Sequence, residues 1–110
     1  MLYVDFNAGD KDYKLRLNTR NTVLLEKTIG CNPLSIFGSG DRIPAVTEMV
    51  AILHASLQQY EHGLTMNDAY DIFDAYIEDG HSPLDFTAVI MDVYKVSGII
   101  RENKETTEKN

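Results

Sequence analysis

The sequence predicts an α+β fold, an N-terminal β-hairpin packed on a bundle of about four helices. Three observations carry that expectation. Two short runs with a period of two open the chain and are joined by a glycine-containing turn. Longer stretches of helical period follow, and glycines punctuate their ends. Capping residues precede several of those stretches, twice with proline next to the cap.

The hairpin comes first. Leu2, Val4 and Phe6 alternate with Tyr3, Asp5 and Asn7 over 2–7, and Tyr13, Leu15 and Leu17 share one face of 12–17. Ala8-Gly9-Asp10-Lys11 supplies the turn between them. A lone hairpin is marginal in water, so its apolar face is expected to pack on helices.

Asn18-Thr19-Arg20-Asn21 offers N-caps for a helix that carries Val23 or Leu24 and Lys27 or Thr28 on successive turns and stops at Gly30. Asn32-Pro33 restarts a short apolar turn with Leu34, Ile36 and Phe37, and Gly38-Ser39-Gly40-Asp41 reads as a flexible loop. Pro44 is expected to open the longest helix, about 44–61, with Val46, Met49, Val50, Leu53, Leu57 and Tyr60 on a wide stripe. That width marks it as the central helix. Thr65-Met66-Asn67-Asp68 resembles a capping box and opens a helix to about Asp79, with Ala69, Ile72, Phe73, Tyr76 and Ile77 inward. Ser82-Pro83-Leu84-Asp85 starts the last helix, whose expected core face is Leu84, Phe86, Val89, Ile90, Val93 and Tyr94. Gly98 stops it, and Ile99-Ile100 is expected to fold back against the bundle.

The 110 residues suit one domain, 1–100, followed by a polar tail over 101–110 that is expected to be disordered, since it has no apolar side chain to offset the entropy of ordering. The net charge is −7, and eight acids lie between Glu61 and Asp92 with no Lys or Arg among them. Nucleic acid or an anionic membrane surface would call for the opposite sign. The bland account of this acidity is a solvated face; the functional account is a docking face for a basic partner. No apolar run approaches the ~20 residues that cross a bilayer, and the N-terminus does not read as a signal peptide. A cytoplasmic protein is expected. The single cysteine, Cys31, excludes an intrachain disulfide.

Catalytic and metal chemistry finds little support. Counted from Asp68, the third, fifth and sixth positions of a calcium loop would be Tyr70, Ile72 and Phe73, which cannot serve. His54 lies on the long helix, whereas His62 and His81 sit beside helix-ending glycines, where the dipole favours an imidazolium. Gly38-Ser39-Gly40 lacks the Lys-Ser/Thr continuation of a phosphate loop. Cys31 has no histidine near it in sequence. No cofactor and no enzymatic activity are expected.

The order of the segments carries a resemblance. Tyr13-Lys-Leu-Arg-Leu precedes Leu24-Leu25-Glu26-Lys27-Thr28-Ile29-Gly30, then Asn32-Pro33-Leu34 and a glycine-rich loop. A long helix ends in Leu57-Gln-Gln-Tyr-Glu-His-Gly63-Leu-Thr65, followed by Ala69-Tyr-Asp-Ile-Phe-Asp, Gly80 and a closing Val96-Ser-Gly98-Ile-Ile. Over roughly residues 12–100 this order resembles the tail assembly chaperones of long-tailed bacteriophages and prophages, nearest to those of Gram-positive hosts.

The resemblance implies a protein that coats the tape-measure protein and keeps it soluble while tail-tube subunits polymerise around it. Such a protein acts in the host bacterial cytoplasm and is absent from the finished particle. The tail-tube protein is a further candidate partner, and self-association is compatible with the role. The family carries no catalytic motif. The candidate contact surface is the acidic window 61–92, with Asp71, Asp74 and Glu78 and the tyrosines Tyr70 and Tyr76, together with whichever of Met49, Met66 and Met91 are exposed. Many such chaperones also exist in a longer, frameshifted form, and Glu108-Lys109-Asn110 could be encoded by a slippery adenine-rich run. The alternative is a structural virion component, a head–tail connector or tail-terminator protein. A third reading, from another class, is an acidic decoy for a DNA-binding protein.

Overall fold

A computed structural model describes residues 2–101. The frameshift reading at Glu108-Lys109-Asn110 lies outside the described residues, as does the expected polar tail apart from Arg101.

The architecture is the expected α+β one: an antiparallel hairpin followed by helices. Strand β1 is Val4–Ala8 and β2 is Lys11–Leu15, both shorter than the alternation suggested. Gly9 and Asp10 turn the chain at φ of 59° and 64°, the pair of positive values that a type I′ turn requires. The register sets Phe6 opposite Tyr13 and Val4 opposite Leu15, so Phe6, Ala8, Tyr13 and Leu15 bury one face. Leu2 lies outside the strand and is exposed. On the other face Asn7 donates to Asp12 across the strands at 2.8 Å.

Helix α1, Thr19–Ile29, is capped by Asn18, whose side chain accepts from the Asn21 amide, and ends on Gly30 in the left-handed region. Its innermost residues are Asn21 and Leu25, while Val23 is exposed. Pro33–Phe37 forms a 3-10 turn capped by Asn32.

Helix α2 is Val46–Leu57, starting later and ending earlier than the expected 44–61. The chain beyond it continues in hydrogen-bonded turns, with Tyr60 and Glu61 donating to the Leu57 carbonyl. It is the central helix, buried along almost its whole length from Met49 to Leu57, and it packs against α1, β2 and the two later helices. It is not the longest, and Val46 at its start is exposed.

Helix α3, Met66–Glu78, opens on the reciprocal box read from the sequence. The Asp68 amide donates to Thr65 Oγ1 at 3.1 Å, and the Thr65 amide donates to Asp68 at 2.9 Å. Helix α4, Pro83–Val96, repeats the device with Ser82 and Asp85. Beyond it, the Ile99 amide donates to the Tyr94 carbonyl, and Ile99 and Ile100 pack back on the core.

An aromatic cluster joins sheet to helices. Phe6 lies 5.0 Å from Tyr76 and 5.7 Å from Phe86, and Phe73 lies 5.3 Å from Phe86, measured between ring centroids. The hairpin turn is tied to the end of α3 by the Gly9 amide, which donates to Asp79 at 2.8 Å. No helix among the described residues is long and apolar enough to cross a membrane.

Candidate functional site

Helix α4 has two apolar faces. Phe86, Ile90, Val93 and Tyr94 are buried. Leu84, Ala88 and Met91 recur at i, i+4 and i+7 on the opposite side and are exposed, Leu84 by 58%. Leu84 therefore does not belong to the core face assigned to it by its spacing. The register of the helix turns it outward, because Phe86 two positions on points inward.

This outer stripe forms one wall of a groove of about 590 Å³. Leu34 and Phe37 of the 3-10 turn, with Ile43 and Pro44 of the following loop, form the other, and Ile100 also lines it. Leu34 and Ile43 are exposed, Ile43 by 61%.

The loop wall is held by specific bonds. Arg42 donates to the Ile36 carbonyl and makes a paired contact with Glu48, at 3.0 and 3.2 Å. Glu48 also accepts from the Ala45 amide at 2.8 Å. Burial pushes the Glu48 carboxyl up, but the Ala45 amide and the Arg42 guanidinium outweigh it and hold the group below its ordinary value. Gly38 turns at φ 58°, and a Cβ there would lie 3.3 Å from Arg42 Cβ. The segment Gly38-Ser39-Gly40-Asp41, expected as a flexible loop, is thus followed at once by an anchor, Arg42. Behind the wall, the buried Tyr94 hydroxyl donates to the Pro33 carbonyl.

The polar groups of the groove are Ser39, Asp41, Arg42 and Thr87. Thr87 donates to the Leu84 carbonyl, and Arg42 is engaged by Glu48. The groove offers apolar contact with charge at its edge. Among the described residues, no group of three or more His, Cys, Asp or Glu is placed to hold a metal. His54 Nε2 is hydrogen-bonded with the Leu64 carbonyl at 3.0 Å, and His81 stacks on Tyr76 at 4.2 Å.

Most of the residues singled out from sequence fall elsewhere. Asp71, Asp74 and Glu78 are exposed and share one face of α3. Tyr70 is exposed and lines a separate cleft with Ile29, Ala51 and Met66. Tyr76 is corrected: it is 5% exposed, locked between Phe6, Phe73 and Phe86, and cannot serve as a contact residue. Burial raises its hydroxyl pKa, with a smaller push from Asp85. Met91 and Ala88 fall inside the expected 61–92 contact window and Met91 is an exposed member of the expected set, whereas Leu34 and Ile43 lie outside it and no sequence feature singles them out. The signal on α4 is its second apolar stripe, which overlaps the core stripe in any window of helical period.

No curated protein and no solved structure matches the chain. A family model does match, over residues 4–110, and the chain belongs to that family, DUF6096, a family of unknown function.

Proposed function

We propose that this chain is a non-catalytic protein-binding domain and acts as a tail assembly chaperone. In this reading it covers apolar helical stripes of a tape-measure protein in the host cytoplasm and keeps that protein soluble until tail-tube subunits enclose it. The observation that carries the reading is the groove between α4 and the 34–44 segment, where Leu34, Ile43, Leu84 and Met91 are all exposed. Grouped apolar side chains on a surface otherwise rich in charge mark an interaction site. The order of segments over 12–100 supports the identity of the partner. Repeated weak contacts along one long helical protein would add through avidity. The acids Asp71, Asp74 and Glu78 keep the complex soluble and speed encounter with a basic partner.

Co-expression with the tape-measure protein tests this. The soluble yield of that protein should rise with the wild-type chain and should not rise with Met91→Glu. Mass spectrometry of purified particles should find the chain missing. Its presence at stoichiometric level would favour a connector or tail-terminator instead.

A further inference from the structure

We infer that the groove takes an amphipathic helix whose apolar stripe is bordered by lysine or arginine. The inference rests on the protein-binding reading above and adds the chemistry of the partner.

The dimensions suit a helix. At 1.5 Å per residue, Leu84 and Met91 stand about 10 Å apart along the α4 axis, two turns of a partner helix. Anchors at i, i+3 or i+4, and i+7 would meet them together.

The charge at the rim selects the partner. Asp41 lines the loop side of the groove. Asp85 and Asp92 lie three and four residues from Ala88 on the exposed face of α4; Asp85 already accepts from the Ser82 amide and has His81 at 3.9 Å, so Asp92 is the freer of the two. All three acids are exposed. Of the cations near the groove, Arg42 is paired with Glu48, Lys95 continues the exposed stripe one turn beyond Met91, and Arg101 follows the lining residue Ile100, so the acidic rim is confined to the Asp41 and Asp85–Asp92 edges. A basic-flanked stripe would set its charges against the acids while burying its apolar side chains on Leu34, Ile43, Leu84 and Met91.

Two other occupants fit less well. Residues 102–110 contain no apolar side chain and cannot fill an apolar groove. A second copy packed groove to groove would bring acidic rims together in a chain of net charge −7.

The test uses the full chain and two synthetic helical peptides with the same leucine stripe, one flanked by lysine and one by glutamate. Each is titrated against the ¹⁵N-labelled protein at low and high salt. The lysine peptide should bind at least about ten-fold tighter at low salt, and the gap should narrow at high salt as screening shortens the reach of the charges. Shifts should centre on Leu34, Ile43, Ala88 and Met91. Asp41→Lys combined with Asp92→Lys, both exposed positions, should reverse the preference. Equal affinities, an unreversed preference, or shifts centred on α3 would overturn the inference. So would binding of neither peptide, or a dimer that Met91→Glu dissociates. In any of those cases a maintained soluble yield of tape-measure protein would leave the chaperone reading standing, with its contact chemistry placed elsewhere.

Discussion

The Tyr94 hydroxyl donates a 2.9 Å hydrogen bond to the Pro33 carbonyl, joining positions 61 residues apart. The side chain is fully buried, and the Phe37 ring meets it edge-on at 6.2 Å. Burial, reinforced by the nearby Cys31 and Glu48, pushes the hydroxyl well above its ordinary pKa, so it stays a donor at any physiological pH. This one bond fixes the 3-10 turn, and hence one groove wall, to the helix that forms the other. Tyr94→Phe keeps the ring and removes this bond, while the Pro33 carbonyl keeps its place in the 3-10 turn. The expected loss is about 0.5–1.5 kcal/mol in urea denaturation, with faster amide exchange at 34–37.

The hairpin turn has little tolerance. Gly9 has φ 59°, and a Cβ there would sit 3.1 Å from Ala75 Cβ. Its amide also depends on Asp79 at 2.8 Å. Gly9→Ala should destabilise by about 1–2 kcal/mol through backbone strain and crowding. Asp79→Ala should cost about 1 kcal/mol by releasing the same turn from α3. Thermal melts of both variants and of their combination check this. The two costs should be less than additive, because both loosen one junction.

Acid should weaken the start of α3. The Thr65 amide and then the Thr65 hydroxyl hold the Asp68 carboxyl below its ordinary value of 3.8, outweighing a small effect of desolvation. A depressed carboxylate pKa contributes stability that is full above 3.8 and is lost as pH falls through the lower folded value. Glu48 acts in the same direction, below its ordinary 4.5. The pH dependence of stability below about 3.8 should therefore be shallower in Asp68→Asn than in the wild type, while the contribution of Glu48 stays in both. Identical slopes would remove Asp68 from the acid transition.

The two faces of α4 should separate under mutation. Phe86 is buried among Phe6, Phe73 and Tyr76, and Phe86→Ala should cost about 3–5 kcal/mol. Leu84 lies two residues away but is exposed. Leu84→Ser should change stability by no more than about 0.5 kcal/mol. Chemical denaturation of the pair distinguishes a core face from a binding face on one helix.

Much of the fold was legible because local chemistry dictates it. Gly9-Asp10, the Thr65–Asp68 box and the Ser82-Pro83 start are short-range devices, and each lies where its residues place it. The 3.6-residue period also identified α2 as central. What the period could not give was the side of a helix when two sides are apolar. Leu84 and Phe86 both fit an inward stripe, and only packing against β1 and α3 decides between them. Tyr76 failed for a related reason: an amphipathic side chain reads equally as surface or core, and its burial depends on Phe6 from the far end of the chain. The groove itself is non-local. It needs a loop held by Arg42, a turn held by Tyr94 and a helix from the C-terminal third.

The most direct measurement of the central claim compares two variants in binding to purified tape-measure protein. Met91→Glu places a charge in the apolar groove, and the triple change of Asp71, Asp74 and Glu78 to Lys reverses the exposed acidic face of α3. By titration calorimetry, Met91→Glu should weaken binding at least about ten-fold, a cost of about 1.4 kcal/mol or more. The triple variant should lose less, and mainly at low salt. Unchanged affinity for Met91→Glu, with loss confined to the triple variant, would contradict the groove as the binding site.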